Sequence, residues 1–271
     1  MELGPNDTGL IAGRRVPLLL IDTFKGGVAK TTSALWTAQS FASLGLRTLL
    51  VGLSAQNDVV AVPVARLVGL RDALDSGRPP SVLELSERLW HLPAGSAVSG
   101  HEDPGAAPAI RAAAATVGAE CIVVDGTAFA DHLSFWVLDD ADVLVAPMTP
   151  FAEPYAAAIK ASIAVGRMYR DKNVTVKLLL TIVPPPSDRS AATKEILTWV
   201  RDAYPGLVLD HAIRRTARVE RIAIDPRQQI KRGRPTGSFL SSDYHDVARE
   251  LVGLVGLEPA PLFASSRSQT S

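Results

Sequence analysis

The residues with the clearest chemical potential are Lys25-Gly26-Gly27-Val28-Ala29-Lys30-Thr31-Thr32. They stand between the apolar run Val16 to Ile21 and a segment with helical periodicity. Adjacent glycines permit a turn in which backbone N–H groups point inward, and a helix beginning at its end adds unpaired N–H groups and a positive dipole end. Such a turn suits a polyphosphate. Its backbone, from Gly26 through Ala29 to Thr32, would cradle the phosphates, and Lys30 would reach the terminal ones. The Thr31 hydroxyl would join the shell of a magnesium ion that keeps mostly water and phosphate oxygen as its other ligands. Asp125 is a second candidate for that shell. It ends the apolar run Cys121-Ile122-Val123-Val124, and in open α/β sheets ligands lie at the carboxyl ends of strands.

The common phosphate-loop pattern, G-x-x-x-x-G-K-[ST], is not met, because Phe24 and Ala29 stand where its glycines belong. With Lys25 ahead of the Gly-Gly pair, the stretch instead resembles the deviant Walker A loop of the ParA/MinD family, usually K-G-G-V-G-K-T-T. It departs from that form only at Ala29. The resemblance extends from about Val16 to Leu254. Cys121 to Gly126 looks like a Walker B segment, Ala141 to Pro147 like the strand after it, and Leu209-Asp210-His211-Ala212-Ile213-Arg214-Arg215 like the family's F-x-x-x-I-P-R.

This resemblance implies ATP and Mg2+ as cofactors and an ATP-dependent homodimer in which Lys25 reaches the nucleotide of the partner subunit. Lys25 and Lys30 are then catalytic candidates. In relatives the proline of the later segment helps hold adenine, and here Arg214 occupies its place. Leu50 to Gln56 matches the family's L-V-D-L-D-P-Q, but Gly52 and Ser54 replace both acids. The second acid helps arrange the attacking water in relatives, so Ser54 is the third catalytic candidate. A hydroxyl lacks a carboxylate's charge and proton-accepting strength, so weak hydrolysis and a long-lived ATP state are expected. Asp58 lies a few residues on, but a strand-end turn fixes direction too closely for a shifted acid to substitute well. Where Ala29 replaces a glycine with positive φ, the cost is on the order of 1 kcal/mol.

Arg214, Arg215, Arg218, Arg221, Arg227, Lys231, Arg232 and Arg234 face only Glu220 and Asp225 within residues 214–234, a net +6 in a chain whose formal charge is +0. The rest of the chain therefore carries −6. A concentrated basic segment in a neutral protein is an electrostatic footprint for polyanions, and arginine suits phosphate contacts. Partition ATPases of the resembling family bind non-specific DNA with basic residues in this neighbourhood. Arg214, Arg215, Arg218, Arg221, Lys231, Arg232 and Arg234 are the DNA-binding candidates, a solvated charged loop or arginines pairing with acids elsewhere being the alternative.

These residues need a scaffold. The chain has 271 residues, enough for one large α/β domain, and its 47% hydrophobic and 21% charged residues are those of an ordinary globular protein. The expected fold is a three-layer P-loop NTPase fold: a mostly parallel twisted sheet flanked by helices. Expected strands are Val16 to Ile21, Arg47 to Leu53, Cys121 to Gly126, Val143 to Met148, Val174 to Ile182 and Leu207 to Ile213. The helix after the loop stops at Gly45. Further helices are expected over Ala109 to Val117, Pro154 to Met168, Ser190 to Tyr204 and Asp243 to Leu254, with a helical pattern over Val64 to Leu89 broken at Gly77-Arg78-Pro79-Pro80. Residues 1–15 read as a flexible tail, 16–257 as the ATPase domain, and 258–271 as a disordered tail.

Cys121 is the sole cysteine, so no internal disulfide forms and no cysteine-held metal site is expected. The five histidines show no ligand spacing, and no structural zinc is expected. The N-terminus lacks the long apolar core of a signal peptide, and no apolar run approaches the roughly 18 residues of a spanning helix. A cytoplasmic, nucleoid-associated protein with no membrane role is expected. The resemblance points to a ParA-like switch in plasmid or chromosome partition or cargo positioning, working with a ParB-like adaptor. A nucleotide-binding regulator or scaffold with little turnover is the alternative, and an amide-forming or carboxylating synthetase of the same superfamily a third.

Overall fold

The computed structural model describes residues 10–11, 14–54, 67–96, 104–129, 132–150, 174–215 and 239–258. Two short strands, β1 (Leu10–Ile11) and β2 (Arg14–Arg15), pair antiparallel as a separate sheet. Then follow β3 (Leu18–Ile21), α1 (Lys30–Ser43), β4 (Thr48–Gly52), α2 (Leu70–Ser76), β5 (Leu83–Ser86), β6 (Leu89–Leu92) and α3 (Ala106–Thr116). The chain continues through β7 (Cys121–Asp125), α4 (His132–Leu138), β8 (Val143–Met148), β9 (Thr175–Leu180), α5 (Ala191–Ala203) and α6 (Phe239–Leu254).

Among the described residues, the main sheet has seven strands in the order β5-β6-β4-β7-β3-β8-β9. Every pairing is parallel except that of the edge strand β5 with β6. Parallel strands need crossovers, and the crossover helices cover both faces, which is why the central strands read as unbroken apolar runs. Alternate side chains divide between the two faces. Leu19, Ile21, Leu50, Val123 and Val145 pack with Phe41 of α1 and Tyr244 and Leu251 of α6. Leu18, Leu20, Leu49, Val51, Ile122, Val124 and Leu144 pack with Leu70 of α2, Ile110 of α3 and Val137 of α4. The result is the expected three-layer α/β fold.

Two expected elements differ. The helical pattern from Val64 to Leu89 yields only the short α2, because after Gly77-Arg78-Pro79-Pro80 the chain turns back as the β5–β6 hairpin. Leu207 to Ile213 is not a continuous strand. It follows β9 with isolated bridges at Leu178↔Val208 and Val183↔Arg214. Between them the N–H groups of Asp210 and His211 are drawn to the carboxylate of Glu250 on α6 (2.9 and 3.4 Å), and the ladder is interrupted. The helix expected over Pro154 to Met168 lies outside the described residues.

Candidate functional site

The β3–α1 connection builds the loop that the sequence singles out. Asp22 N–H still bonds to Val145 O (3.1 Å), and the chain then turns through Gly27, whose φ is 72°. Ala29 is the N-cap of α1 and adopts the left-handed conformation, φ 63° and ψ 34°. The backbone therefore keeps the geometry natural to glycine, and the alanine carries its strain. No side chain caps this helix start, and its first turn contains no acid. Among the described residues, the leading N–H groups and the positive dipole end are thus directed into the loop without a side-chain cap. Lys30 Nζ donates to the Lys25 carbonyl (3.3 Å) across the loop. The Thr181 hydroxyl lies 3.1 Å from Val28 O and 3.0 Å from Met148 O, which ties the loop to the ends of β8 and β9.

Opposite the loop stands Asp125, the last residue of β7. It is in register with Ile21 of β3 on one side and Gly52 of β4 on the other. Its carboxylate is buried and hydrogen-bonded to the Thr31 side chain. Oδ1 has no hydrogen-bond partner among the described residues. Burial pushes the Asp125 pKa up to about 7; the Thr31 bond opposes the rise, the nearby Asp22 charge adds to it, and Lys30 opposes it. A buried carboxylate oxygen without a donor is costly in isolation, and the cost is removed by a cation. Paired with a threonine hydroxyl, it is a hard-oxygen donor set that fits magnesium. The residues present therefore fit the ion that the sequence reading assigned to Thr31 and Asp125.

Sequence reasoning missed Asp22. This acid directly follows β3, is fully buried, and accepts the N–H of Thr23 (2.7 Å), Ala128 (2.9 Å) and Phe129 (3.2 Å). Burial raises its pKa, with a Ser134 hydrogen bond, the backbone donors and Lys30 acting in the opposite sense. The signal was present in the chain: Asp22 closes an apolar strand just as Asp125 does.

The turn after β4 also reaches the site. Leu53 N–H bonds to Asp125 O (3.1 Å), and Ser54, partly exposed, follows it. Gln56 and Asp58 lie outside the described residues. Arg214 is not free to reach outward. Its guanidinium forms a fork with the Asp243 carboxylate (Nε 3.0 Å, Nη2 2.5 Å), and its N–H bonds to the same group (2.9 Å). This ion pair joins the segment before Arg215 to α6, and Arg215 itself is exposed. Arg218, Arg221, Arg227, Lys231, Arg232 and Arg234 lie outside the described residues. Of the described residues, the fold thus gathers Lys25 to Thr32, Ser54 and Asp125 at the carboxyl end of the sheet.

No protein-family model and no curated protein matches the chain. Solved structures do match its fold. One is a cobyrinic acid a,c-diamide synthase from Mycobacterium smegmatis with bound ADP and magnesium, 20% identical, covering 92% of this chain and 99% of that one at a TM-score of 0.69. Another is the cell division ATPase MinD from Pyrococcus furiosus, 16% identical over 88% of this chain and 99% of that one, TM-score 0.66. A third is a plasmid partition protein from Borrelia burgdorferi bound to AMPPNP, 14% identical over 89% and 99%, TM-score 0.67. At these identities the likeness establishes the fold alone: a mostly parallel α/β sheet with helices on both faces.

Proposed function

We propose that this chain is a ParA-like, ATP-dependent dimerising switch that binds DNA non-specifically and serves plasmid or chromosome partition or cargo positioning with a ParB-like adaptor. The observation that carries the nucleotide reading is the pairing of the uncapped α1 start and its Lys25–Thr32 loop with a buried Asp125 whose Oδ1 lacks a partner among the described residues. Backbone N–H groups and Lys30 would hold the phosphates of ATP, and Thr31 with Asp125 would hold Mg2+, which supplies charge neutralisation at the phosphates. Lys25, at the mouth of the loop, would cross to the nucleotide of a second subunit. That two of these neighbouring structures carry ADP or AMPPNP, and that a partition protein and MinD are among them, supports this reading. Among the described residues, no helix is long and apolar enough to cross a membrane.

The switch is a slow one. Gly52 is the immediate neighbour of Asp125 in the sheet, and Ser54 follows, so the turn offers a backbone and a hydroxyl where an acid would orient water. This observation also favours the second reading, a nucleotide-dependent regulator or scaffold with little turnover. Steady-state phosphate release with saturating Mg-ATP, with and without DNA, separates them. The switch predicts measurable release that DNA stimulates, and Ser54→Asp should raise it by about tenfold or more. Release that stays at background in wild type and in Ser54→Asp, with ATP nonetheless bound, would identify the regulator.

A further inference from the structure

Asp22 lies three positions before Lys25, at the entry to the loop, and its side chain is committed to a different segment: the residues that follow Asp125. Its oxygens take the N–H of Ala128 (2.9 Å) and Phe129 (3.2 Å), and Ser134 of α4 hydrogen-bonds to the same carboxylate. Ser134 in turn accepts the Thr127 N–H (3.0 Å) and pairs with the Thr127 hydroxyl (2.9 Å). Ala128 and Phe129 have φ of 65° and 49°, left-handed values that neither residue adopts without cost. Successive N–H groups in such conformations converge into an anion-binding concavity, and here the anion is the protein's own. Gly126 is required by the same contact, since a Cβ there would come within 2.2 Å of the Asp22 carboxylate. Phe24 of the loop stacks on Phe129 at 4.6 Å, and Phe129 meets Phe135 of α4 at 5.0 Å.

The loop begins one residue after Asp125, and its strained residues, Ala128 and Phe129, come three and four positions after it. Its first peptide is fixed by Gly126 N–H to Ile21 O (3.0 Å), next to Asp22 itself. Without the carboxylate, the N–H groups of Ala128 and Phe129 lose the acceptor that draws them into left-handed φ, and the Phe24–Phe129–Phe135 contacts and the Thr127–Ser134 bonds are left to hold the segment. Relaxation there would reach Asp125 through the two intervening residues, Gly126, which packs on the Asp22 carboxylate, and Thr127. We propose that Asp22 is a positioning residue of the nucleotide site: by holding Ala128 and Phe129 in the left-handed conformation, and with Gly126 packed on its carboxylate, it keeps the Asp125 carboxylate directed at Thr31 and the phosphate loop. The proposal rests on the Mg-nucleotide reading above. It assigns no contact with nucleotide to Asp22, whose hydrogen bonds are all made within the chain.

The test is calorimetric titration with ADP, once with excess magnesium and once in EDTA. The ratio of the two affinities reports how well Asp125 serves the ion. In Asp22→Asn that ratio should fall about tenfold, the usual scale for loss of a residue that orients a metal ligand, with the EDTA affinity changed less than about threefold. Adding Ala128→Gly to Asp22→Asn should restore part of the ratio, because glycine takes the left-handed conformation unaided. Ser134→Ala, a milder change on the same carboxylate, should lower the ratio in the same direction, and it carries the test if Asp22→Asn does not fold. An unchanged ratio, or equal losses with and without magnesium, would overturn the proposal. Wild-type protein whose ADP affinity ignores magnesium would instead remove the magnesium role of Thr31 and Asp125, and this assignment with it, and wild-type protein that binds no ADP would remove the nucleotide reading itself.

Discussion

Ala29 stores strain at the hinge between loop and helix. Its φ of 63° is the value a glycine would take freely, and it caps α1 without contributing a side-chain bond. Ala29→Gly relieves the left-handed penalty but adds freedom to the unfolded chain. The two effects leave a net gain of about 0.5 to 1 kcal/mol, readable as a higher urea midpoint at unchanged slope. A lower midpoint would mean that the loop relaxes in solution. Asp125 makes a second prediction. Burial holds its pKa near 7 in the folded protein, whereas the unfolded chain releases that proton near the ordinary value of 3.8. Between these values the native state binds more protons, so without nucleotide the contribution of Asp125 to stability falls as pH rises and levels off above about 7. Asp22, also shifted upward, acts in the same sense. The stability of wild type relative to Asp125→Asn should therefore decline across that window in thermal melts. A difference that is flat or grows with pH would show that Asp125 is ionised in the free protein.

At the level of elements, much of the site was legible because strand ends and loop chemistry are local. The apolar runs Val16 to Ile21 and Cys121 to Val124, each ending in or beside an acid, became β3 and β7, and the Gly-Gly turn fell where the helix begins. What escaped the reading depends on partners distant in sequence. Asp22 is explained only by residues 126–134, more than a hundred positions away. Leu207 to Ile213 has the composition of a strand, but Glu250 of α6 captures its middle. Arg214 looked available to an anion, and Asp243 had already claimed it. That ion pair predicts a split role. Arg214→Ala should loosen α6 and lower the melting temperature, whereas Arg215→Ala, on an exposed residue, should leave it nearly unchanged. Equal melting temperatures for the two variants would show that the Arg214–Asp243 fork contributes nothing to holding α6.

For the whole molecule, neutrality conceals a separation of charge, +6 within residues 214–234 against −6 elsewhere. If that segment meets DNA phosphates, affinity for unrelated duplexes should drop steeply with salt, because each neutralised phosphate releases condensed counterion. Replacing Arg215 and Arg218 with glutamate should weaken binding to all sequences alike and make the salt dependence shallower. Unaltered binding by the double variant in fluorescence anisotropy would move the surface elsewhere. The central claim is that ATP joins two copies of this chain through Lys25, and light scattering of wild type, Lys25→Ala and Lys30→Ala with Mg-ATP tests it most directly. Wild type should double in mass, Lys25→Ala should bind ATP yet stay monomeric, and Lys30→Ala should do neither. Equal ATP-induced dimerisation of wild type and Lys25→Ala, or a wild type that remains monomeric with ATP bound, would contradict the account.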